Sequence, residues 1–337
     1  MLLPTLAPLS AFPPLTTRTL TPTVIHYYFA GGENSTGTRS TLSLLNPGLR
    51  PADALLTFYF ADGTVRNTRV SVNPYTMRAV PVSALIDRNE PFGLQVASAL
   101  PVAAQLTLDQ PGRDGDTIAP ATATDKTWYL AEGYTGLTFH ESAALLNPGD
   151  RAARVTLHLL SFDGRAARSV LVTVAPHAQA VVNVNRLLSG RAAGLIATSD
   201  QGVVVESPEY SGSPNAAGIA GSDAFGQTTG AARWSFAAGA AGGLSAVSEF
   251  FLLYNPSANA ISVSLVFYDA HGMTATRHVV VAAHARATLD LRRLAPSVIG
   301  MHGVTLTSMN GQKFVVEQTV FTPNVSTLRT TQGLAQP

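Results

Sequence analysis

Cysteine is absent from the 337 residues, and charged side chains make up only 13% of them. The lack of cysteine excludes a disulfide framework, a thiolate metal site and a cysteine nucleophile. A net charge of +1 provides no basic excess, so we do not expect a nucleic-acid-binding protein. No uninterrupted apolar run is long enough for a transmembrane helix, so we expect no membrane span.

The hydrophobic fraction of 46% is ordinary for a globular protein, whereas the charged fraction is about half the usual ~25%. A chain of 337 residues is too long for one ordinary core, so we expect two or three domains. Low charge density leaves a surface that associates readily with neighbouring molecules. The composition therefore indicates a folded, multidomain and charge-poor protein.

The first 22 residues contain five prolines and a single charged residue, Arg18. Prolines at this density exclude a helix, and the segment lacks the basic and apolar regions of a signal peptide. We predict an extended Pro/Thr-rich tail over residues 1–22, either a solvated linker or a segment docked on a neighbouring domain or subunit. Its apolar side chains are the candidate assembly residues Leu2, Leu3, Leu6, Leu9, Phe12 and Leu15.

Three segments of the chain repeat the same series of motifs about 100 residues apart. Each segment opens with a short apolar and glycine-rich stretch, at residues 28–32, 129–133 and 235–239. An asparagine–proline turn follows in each, beginning at Asn46, Asn147 and Asn255. We predict three tandem domains that cover residues 23–124, 125–230 and 231–337.

Each repeat consists of short stretches with period-two alternation of apolar and polar residues, which is typical of β-strands. Asp-Gly pairs at residues 62–63 and 163–164 predict hairpins, and Asn310-Gly311 predicts a hairpin between the last two strands of the third repeat. About seven strands per repeat favour three immunoglobulin-like β-sandwiches in a rod, hence an all-β protein. A short helical turn that crosses between the sheets is expected at Leu85, Leu187 and Leu294.

The second repeat carries W-Y-L-A-E-G-Y-T at residues 128–135, L-N-P-G at 146–149, D-G at 163–164 and V-V-E at 204–206. With these motifs it resembles a bacterial family of exported tandem repeats. The family signature is a W-Y-F-A-E-G-x-T opening, an L-N-P-G turn, a D-G hairpin and a late V-x-E strand. The resemblance implies a cell-surface or extracellular location and no catalytic residues. Repeats 1 and 3 lack the opening glutamate, and Gln105 replaces the late glutamate in repeat 1.

Ionisable residues form no recognisable catalytic motif, and no cofactor is expected. His177 and His284 take equivalent turn positions that Tyr75 fills in the first repeat, so a structural role is favoured. Glu206 and Glu317 lie between apolar residues; we expect them to face water or to bond the opening segment, with a partly buried acid of raised pKa as the alternative.

Three aspartates near the first domain boundary are weak candidates for calcium ligands, because an oxygen-rich segment between domains can bind calcium. A solvated loop is the favoured alternative. The three aspartates are Asp109, Asp114 and Asp116. The openings of repeats 2 and 3 contain Trp128 and Trp234, which we predict to be core residues rather than exposed platforms for sugar rings.

The sequence therefore predicts a non-enzymatic extracellular structural protein, a self-assembling cell-surface or filament subunit whose partners are copies of itself. Tandem repetition, the lack of catalytic motifs and low charge support this interpretation. The alternative is a carbohydrate- or cell-wall-binding accessory module with cell-wall glycan as its partner, since sandwich folds host many unrelated functions.

Overall fold

The computed structural model describes residues 24–35, 37–109, 115–136, 138–160, 166–192, 194–212, 220–242, 247–322 and 328–336. The chain is nearly all β, which confirms the predicted all-β class. In the part of the chain covered by these ranges, no helix is long and apolar enough to cross a membrane. The predicted tail, with Leu2, Leu3, Leu6, Leu9, Phe12 and Leu15, lies outside the described residues.

The first repeat forms two four-stranded sheets that pack face to face. Its strands are β1 (Ile25–Glu33), β2 (Arg39–Asn46), β3 (Ala52–Tyr59), β4 (Val65–Val72), β5 (Thr76–Pro81), β6 (Pro91–Ser98), β7 (Ala103–Asp109) and β8 (Asp116–Ile118). The strand orders are β1-β6-β3-β4 and β5-β2-β7-β8. Alternating apolar side chains from both sheets, such as Phe58 and Leu42, meet in one buried core.

The second repeat has the same arrangement with one strand shared by both sheets. Its strands are β9 (Asp125–Leu130), β10 (Phe139–Asn147), β11 (Ala153–Leu160), β12 (Ala166–Val174), β13 (Ala178–Asn183), β14 (Gly194–Ser211) and β15 (Ala220–Phe225). The 18-residue strand β14 pairs with β9 and β11 through its first part, and with β10 and β15 through its second. It therefore takes the place of both β6 and β7.

The third repeat restores the eight-strand pattern and adds a ninth strand. Its elements are β16 (Arg233–Ala241), β17 (Ser248–Tyr254), β18 (Ile261–Asp269), β19 (Gly272–Val281), β20 (Arg286–Asp290), α1 (Leu291–Leu294), β21 (Gly300–Ser308), β22 (Val315–Phe321), β23 (Leu328–Gln332) and β24 (Leu334–Gln336). The sheets run β19-β18-β21-β16-β24 and β20-β17-β22-β23. The predicted boundaries between repeats thus fall between β8 and β9 and between β15 and β16.

The strand order differs from that of an immunoglobulin constant domain. There the first strand lies beside the second in one sheet. Here the first strand of each repeat pairs with the sixth strand, or with its counterpart in β14, in the opposite sheet from the second. The structure therefore supports a sandwich-like all-β architecture without assigning the immunoglobulin order.

The predicted helical turns are present at the crossing between sheets. Leu85 and Leu187 follow the 3₁₀ turns Val82–Ala84 and Val184–Arg186, and Leu294 ends α1. In contrast, the predicted hairpin at Asn310-Gly311 is wrong. This turn connects β21 to β22, which belong to different sheets, and β23 and β24 still follow it. The positive φ of Gly311 marks a tight turn, but a turn alone does not determine whether the flanking strands pair.

The asparagine–proline turns are held by a buried asparagine in each repeat. Asn147 is fully buried, and its side-chain nitrogen donates to the carbonyl oxygens of Arg151, Val174 and Ala175, while its oxygen accepts from the Gly149 N–H. Asn46 and Asn255 make equivalent contacts. One side chain therefore satisfies the backbone of two neighbouring loops, which goes beyond the local turn that the sequence predicts.

The turn aromatics have a left-handed backbone in all three repeats. Tyr75, His177 and His284 have φ values of 55°, 53° and 52°. The prediction that these residues serve a turn is confirmed, and histidine and tyrosine adopt the same backbone conformation there.

The opening aromatic residues belong to the core, as predicted. Trp128 and Trp234 are 3% and 4% exposed, and their indole N–H groups donate to the carbonyl oxygens of Val203 and Phe314. In the first repeat, the Tyr27 hydroxyl donates to the equivalent carbonyl of Val102. Each repeat therefore closes one edge of its sandwich with the same aromatic-to-backbone hydrogen bond.

We expect Trp128→Ala to lower the free energy of unfolding by ~3–5 kcal/mol, because it removes a buried aromatic side chain. Trp128→Phe keeps much of the apolar volume but leaves the Val203 carbonyl oxygen without its donor, so the expected loss is smaller, ~1–3 kcal/mol. Urea unfolding followed by circular dichroism measures both. Unchanged stability of Trp128→Ala would contradict the core assignment.

Candidate functional site: the junctions between repeats

The motifs that the sequence singles out meet at two buried junctions, one between repeats 1 and 2 and one between repeats 2 and 3. At each junction the opening segment of one repeat docks on the late glutamate strand of the next. We call the first surface the opening face and the second the receiving face. The opening faces are formed by Ala30, Gly31 and Gly93 in repeat 1, and by Ala131, Glu132 and Gly194 in repeat 2. The receiving faces are formed by Glu206, Gln179 and Leu146 in repeat 2, and by Glu317, Arg286 and Tyr254 in repeat 3.

At the first junction, Glu206 binds two consecutive backbone amides of the preceding repeat. Its Oε1 atom accepts the N–H of Ala30 at 2.8 Å, and its Oε2 atom accepts the N–H of Gly31. The register of β1 shifts between Phe29 and Gly32, so this bulged segment directs two amides away from the ladder. Because Glu206 is fully buried, the two amides take the place of water around its oxygens.

A second side chain binds the other side of the same peptide segment. The Gln179 side-chain nitrogen donates to the carbonyl oxygen of Ala30 at 3.1 Å, and its backbone N–H donates to that of Phe60. Both Glu206 and Gln179 thus hold Ala30, one at its N–H and one at its carbonyl. The opening segment is therefore fixed in position and in direction.

The two faces also fit closely in shape. A Cβ atom on Gly93 would lie 2.6 Å from a methyl carbon of Leu146, so a side chain there would displace that leucine. A Cβ atom on Gly31 would lie 2.5 Å from Oε2 of Glu206. Tyr59 stacks on His177, with ring centroids 6.4 Å apart. The two glycines therefore allow the faces of the first junction to approach closely.

The second junction repeats this arrangement with different side chains. Glu317 accepts the N–H of Glu132 at 2.5 Å, and Arg286 donates from Nε to the carbonyl oxygen of Ala131 at 2.5 Å. A Cβ atom on Gly194 would lie 2.9 Å from the Arg286 side chain. Arg286 has the position of Gln179, since Gln179 pairs with Leu146 and Arg286 pairs with Tyr254, the last residue before the turn asparagine in each repeat. The same two roles are filled at both junctions.

The equivalent strands β8, β15 and β23 of the three repeats form a third contact at each junction. The backbone N–H of Asp223 donates to a carboxylate oxygen of Asp116 across the first junction. The backbone N–H of Thr330 donates to the Ser222 hydroxyl across the second, at 2.8 Å. Asp223 and Thr330 have equivalent strand positions, as do Asp116 and Ser222. Three pairs of equivalent contacts therefore join the repeats in series.

The second junction also encloses an unusual cluster of four buried carboxyl groups around one guanidinium group. The carboxyl groups are those of Glu132, Glu141, Glu209 and Glu317, and the guanidinium group is that of Arg286. One positive charge cannot balance four negative charges in a buried site, so protonation of the acids lowers the cost of burial. Both carboxyl oxygens of Glu141 and of Glu209 lack a hydrogen-bond partner among the described residues.

Burial raises the pKa values of these acids. It raises the pKa of Glu206 to about 8 despite the two amides that favour its ionised form. It likewise raises the pKa of Glu317 to about 8, against the backbone N–H of Glu132. Burial, together with the neighbouring charge of Glu132, holds the pKa values of Glu141 and Glu209 well above their usual range. Burial between the repeats therefore favours the protonated form of these acids.

A buried histidine–glutamate pair lies behind the opening segment of the third repeat. His302 Nε2 is 3.1 Å from a carboxylate oxygen of Glu249, whose other oxygen accepts from Gln318 at 2.6 Å. Burial lowers the pKa of His302, but the hydrogen bond and charge of Glu249 outweigh that effect, so the pKa is raised. Glu249 takes the strand position of Glu141, which places a buried acid at the same site in repeats 2 and 3.

The carboxyl cluster has no space for a substrate. The cavity that touches Glu132, Glu209 and Glu317 has a volume of about 10 Å³, which is at the lower limit for a single water molecule. General acid–base chemistry requires that a substrate reach the acid. The raised pKa values at this junction are thus explained by burial between two repeats.

A larger groove of about 720 Å³ runs along β8, β15 and β23 and the linkers between repeats. Threonine, alanine and glycine residues make up much of its lining, including Thr117, Thr228 and Thr331. Both tryptophans border it but are buried. The aromatic platform that the glycan-binding alternative needs is therefore not provided by Trp128 or Trp234.

The calcium candidates are not brought together as a metal site in the part of the chain that can be assessed. Asp109 ends β7, Asp116 begins β8 and contacts Asp223, and Asp114 lies outside the described residues. Across the described ranges, no group of three histidine, aspartate or glutamate side chains is placed to hold a metal ion.

Sequence reasoning identified Glu206 and Glu317 but expected them within their own repeat. The expectation that they bond an opening segment is confirmed, although the segment belongs to the preceding repeat. The expectation that they face water is wrong, and the alternative of a buried acid with a raised pKa agrees with the structure. Gln179 and Arg286 were missed. Each lies two residues after the turn histidine of its repeat. This shared position becomes evident once the repeats are aligned by strand register.

Comparison with known protein families places the chain in one of them. The sequence model of a family of unknown function (DUF5719) matches residues 20–232, which is more than half of the chain. The chain belongs to the DUF5719 family. The matched region contains the whole of the first junction and the second repeat, but only the start of the third.

Other comparisons add little. No curated protein matches the chain. Among solved structures, the chain is similar to one described as the crystal structure of Thermotoga maritima 1070, with 19% sequence identity and a TM-score of 0.27. The alignment covers 31% of this chain and 94% of that one. A likeness at this level supports no argument about fold or function.

We expect Glu206→Gln to weaken the first junction by ~1–3 kcal/mol, because the amide nitrogen cannot accept one of the two backbone N–H groups. Limited proteolysis of the segment between β8 and β9 and urea unfolding would both report the change. Asp53→Asn, at an exposed position of β3, is the control for loss of a carboxylate. Equal cleavage and equal stability of Glu206→Gln and the wild-type chain would contradict this role.

The stability of the chain should fall as the pH rises from about 5 to 8. The folded-state pKa values of Glu206 and Glu317, about 8, exceed the unfolded value of ~4.3, so the folded chain retains protons that the unfolded chain releases. This stabilisation is complete below the pKa of the unfolded state. It is lost as the pH rises toward the pKa of the folded state, by about 1.4 kcal/mol per pH unit for each group.

Urea unfolding at several pH values measures this slope. The double variant Glu206→Gln/Glu317→Gln should show a shallower slope than the wild-type chain, because both titrating groups are gone. An unchanged slope would assign the pH dependence to other groups.

Proposed function

We propose that this chain is a non-enzymatic structural protein of the cell surface or extracellular space, whose three repeats are locked in series and whose copies assemble. The observation that carries the proposal is the pair of equivalent junctions, where a buried carboxyl group binds the backbone of the neighbouring repeat. A protein that only tethers its domains does not need to bury acids between them, because doing so is costly unless their partners are fixed.

Apolar packing across the junctions supports the same role. Ala30 and Tyr59 of repeat 1 belong to the core cluster of repeat 2. Ala131 and Leu160 of repeat 2 pack with Tyr254 and residues of repeat 3. Continuous cores and paired hydrogen bonds limit hinge motion, so the proposal includes a stiff, rod-like arrangement of the three sandwiches.

The proposed location rests on sequence features. The motifs resemble those of exported bacterial repeats, and the chain has no cysteine and few charges. Exposed apolar residues such as Leu49 and Met77 favour contact with other molecules. The alternative of a glycan-binding module is less favoured, because the recurring aromatic residues Trp128 and Trp234 are buried in the core and offer no exposed platform for a sugar ring.

Protease treatment of intact cells that produce the chain, followed by immunoblotting, tests the location. We expect the chain to be digested before the cells are lysed, and protection until lysis would contradict an exposed location.

Electron microscopy of the purified chain tests the structural role. We expect elongated particles with three beads, which become bent in Glu206→Gln/Glu317→Gln but not in Asp53→Asn. Flexible particles in the wild-type chain would contradict it.

A further inference from the structure

Each of the two junctions uses one opening face and one receiving face, so among the residues that the structure describes one face of each kind remains without a counterpart. The third repeat has an unpaired opening face, formed by Ala237, Ala238 and Gly303, and the first repeat has an unpaired receiving face, formed by Gln105, Met77 and Leu45. These residues are equivalent by strand register to those of the two junctions. The two unpaired faces belong to the two end repeats of the series.

The unpaired receiving face is apolar and exposed. Leu45, Leu49, Tyr75 and Met77 are 44%, 78%, 67% and 63% exposed. The counterparts of Leu45 and Met77 are covered at the junctions: Leu146 and Tyr254 are 0% and 7% exposed, and Gln179 and Arg286 are 2% and 3% exposed. Leu49 and Tyr75 flank this contact, since their counterparts Asp150 and His284 are exposed. Exposed apolar side chains grouped on one face are a feature of surfaces that bind another protein.

The unpaired opening face keeps the features that the junctions require. Gly303 is glycine like Gly93 and Gly194, which make room for the side chains of Leu146 and Arg286. Around Gly303 itself, the nearest atoms to a Cβ would be backbone oxygens of Phe236 and Ala237 at 3.3 and 3.5 Å, so no side chain of the repeat fills this position. The register of β16 shifts between Phe236 and Gly239, which reproduces the bulge of β1, and Ala237 and Ala238 are exposed.

We propose that a second copy of this chain docks its receiving face on repeat 1 against the opening face of repeat 3, with Leu45 seated on Gly303. The argument rests on the equivalence to the two junctions within the chain, and it deepens the assembly role proposed above. Because the two faces differ, the contact is heterologous. Repetition of a heterologous contact gives an open filament unless the rotation between copies closes a ring.

The contact between copies is weaker than the junctions within the chain. Gln105 replaces Glu206 and Glu317, so its side-chain oxygen accepts one backbone N–H while its nitrogen faces the other. Met77 replaces Gln179 and Arg286 and donates no hydrogen bond. Assembly through these faces therefore depends on apolar contact and responds to protein concentration.

Two variants block one face each, and sedimentation velocity measures their assembly. Leu45→Lys places a charge in the receiving face, and Gly303→Leu fills the space on the opening face. We expect each to raise the dissociation constant by at least about tenfold. Leu171→Lys, at a strand residue of repeat 2 that is 52% exposed, is the matched control and should assemble like the wild-type chain. Circular dichroism checks that all variants are folded.

A mixture of the two blocked variants tests the direction of the contact. Each retains the face that the other has lost, so the 1:1 mixture should form dimers and nothing longer, while each variant alone stays monomeric. Met77→Gln restores the donor that Gln179 provides at the first junction, so this variant should assemble at concentrations about tenfold lower than the wild-type chain.

Three outcomes would overturn the proposal: a wild-type chain that stays monomeric at high concentration, blocked variants that assemble like the control, or a mixture that forms no dimers. Deletion of residues 1–22 provides a further test. If the full-length chain is monomeric and the deletion variant forms filaments, the tail covers the receiving face of the full-length chain in place of a second copy. A chain that stays monomeric but is digested on intact cells and stiff by microscopy would overturn this contact and leave the structural role standing.

Discussion

The structure depends on a carboxyl group that binds two consecutive backbone amides of another repeat. A bulge at the end of the first strand leaves these amides without ladder partners, and burial between repeats removes the water that would otherwise bind them. Glu206 supplies both acceptors at once. The acid and the amides would each be costly to bury without a hydrogen-bond partner, so each surface finds its partners only when the repeats dock. The position of one repeat then fixes the position of the next.

The end repeats depart from the common motif at the positions that this constraint governs. Gln105 and Met77 are exposed, whereas their counterparts Glu206 and Gln179 are buried between repeats. Ala238 is exposed as well, whereas the backbone N–H of its counterpart Glu132 binds Glu317. The differences between repeats at these positions therefore follow the exposure or burial of the face within one shared fold.

Much of the fold could be predicted from the sequence, because it depends on local patterns. Period-two alternation, Asn147 with its turn and the Asp62-Gly63 hairpin act over a few residues, and all are present. The junctions could not be predicted in the same way. Ala30 and Glu206 lie 176 residues apart, and no local rule decides whether a strand glutamate faces water or the next repeat. The failure at Asn310-Gly311 has the same origin, since turn chemistry does not specify which sheet follows.

The continuous strand β14 has a mechanical consequence for the middle repeat. In repeats 1 and 3 the two sheets are connected at this point by separate strands. In repeat 2 the two paired parts of β14 are joined by Asp200, Gln201 and Gly202, which lie outside the ladder registers. The extended backbone through these three residues transmits tension directly from one sheet of repeat 2 to the other, so a force along the chain reaches both sheets of the middle repeat through a single strand.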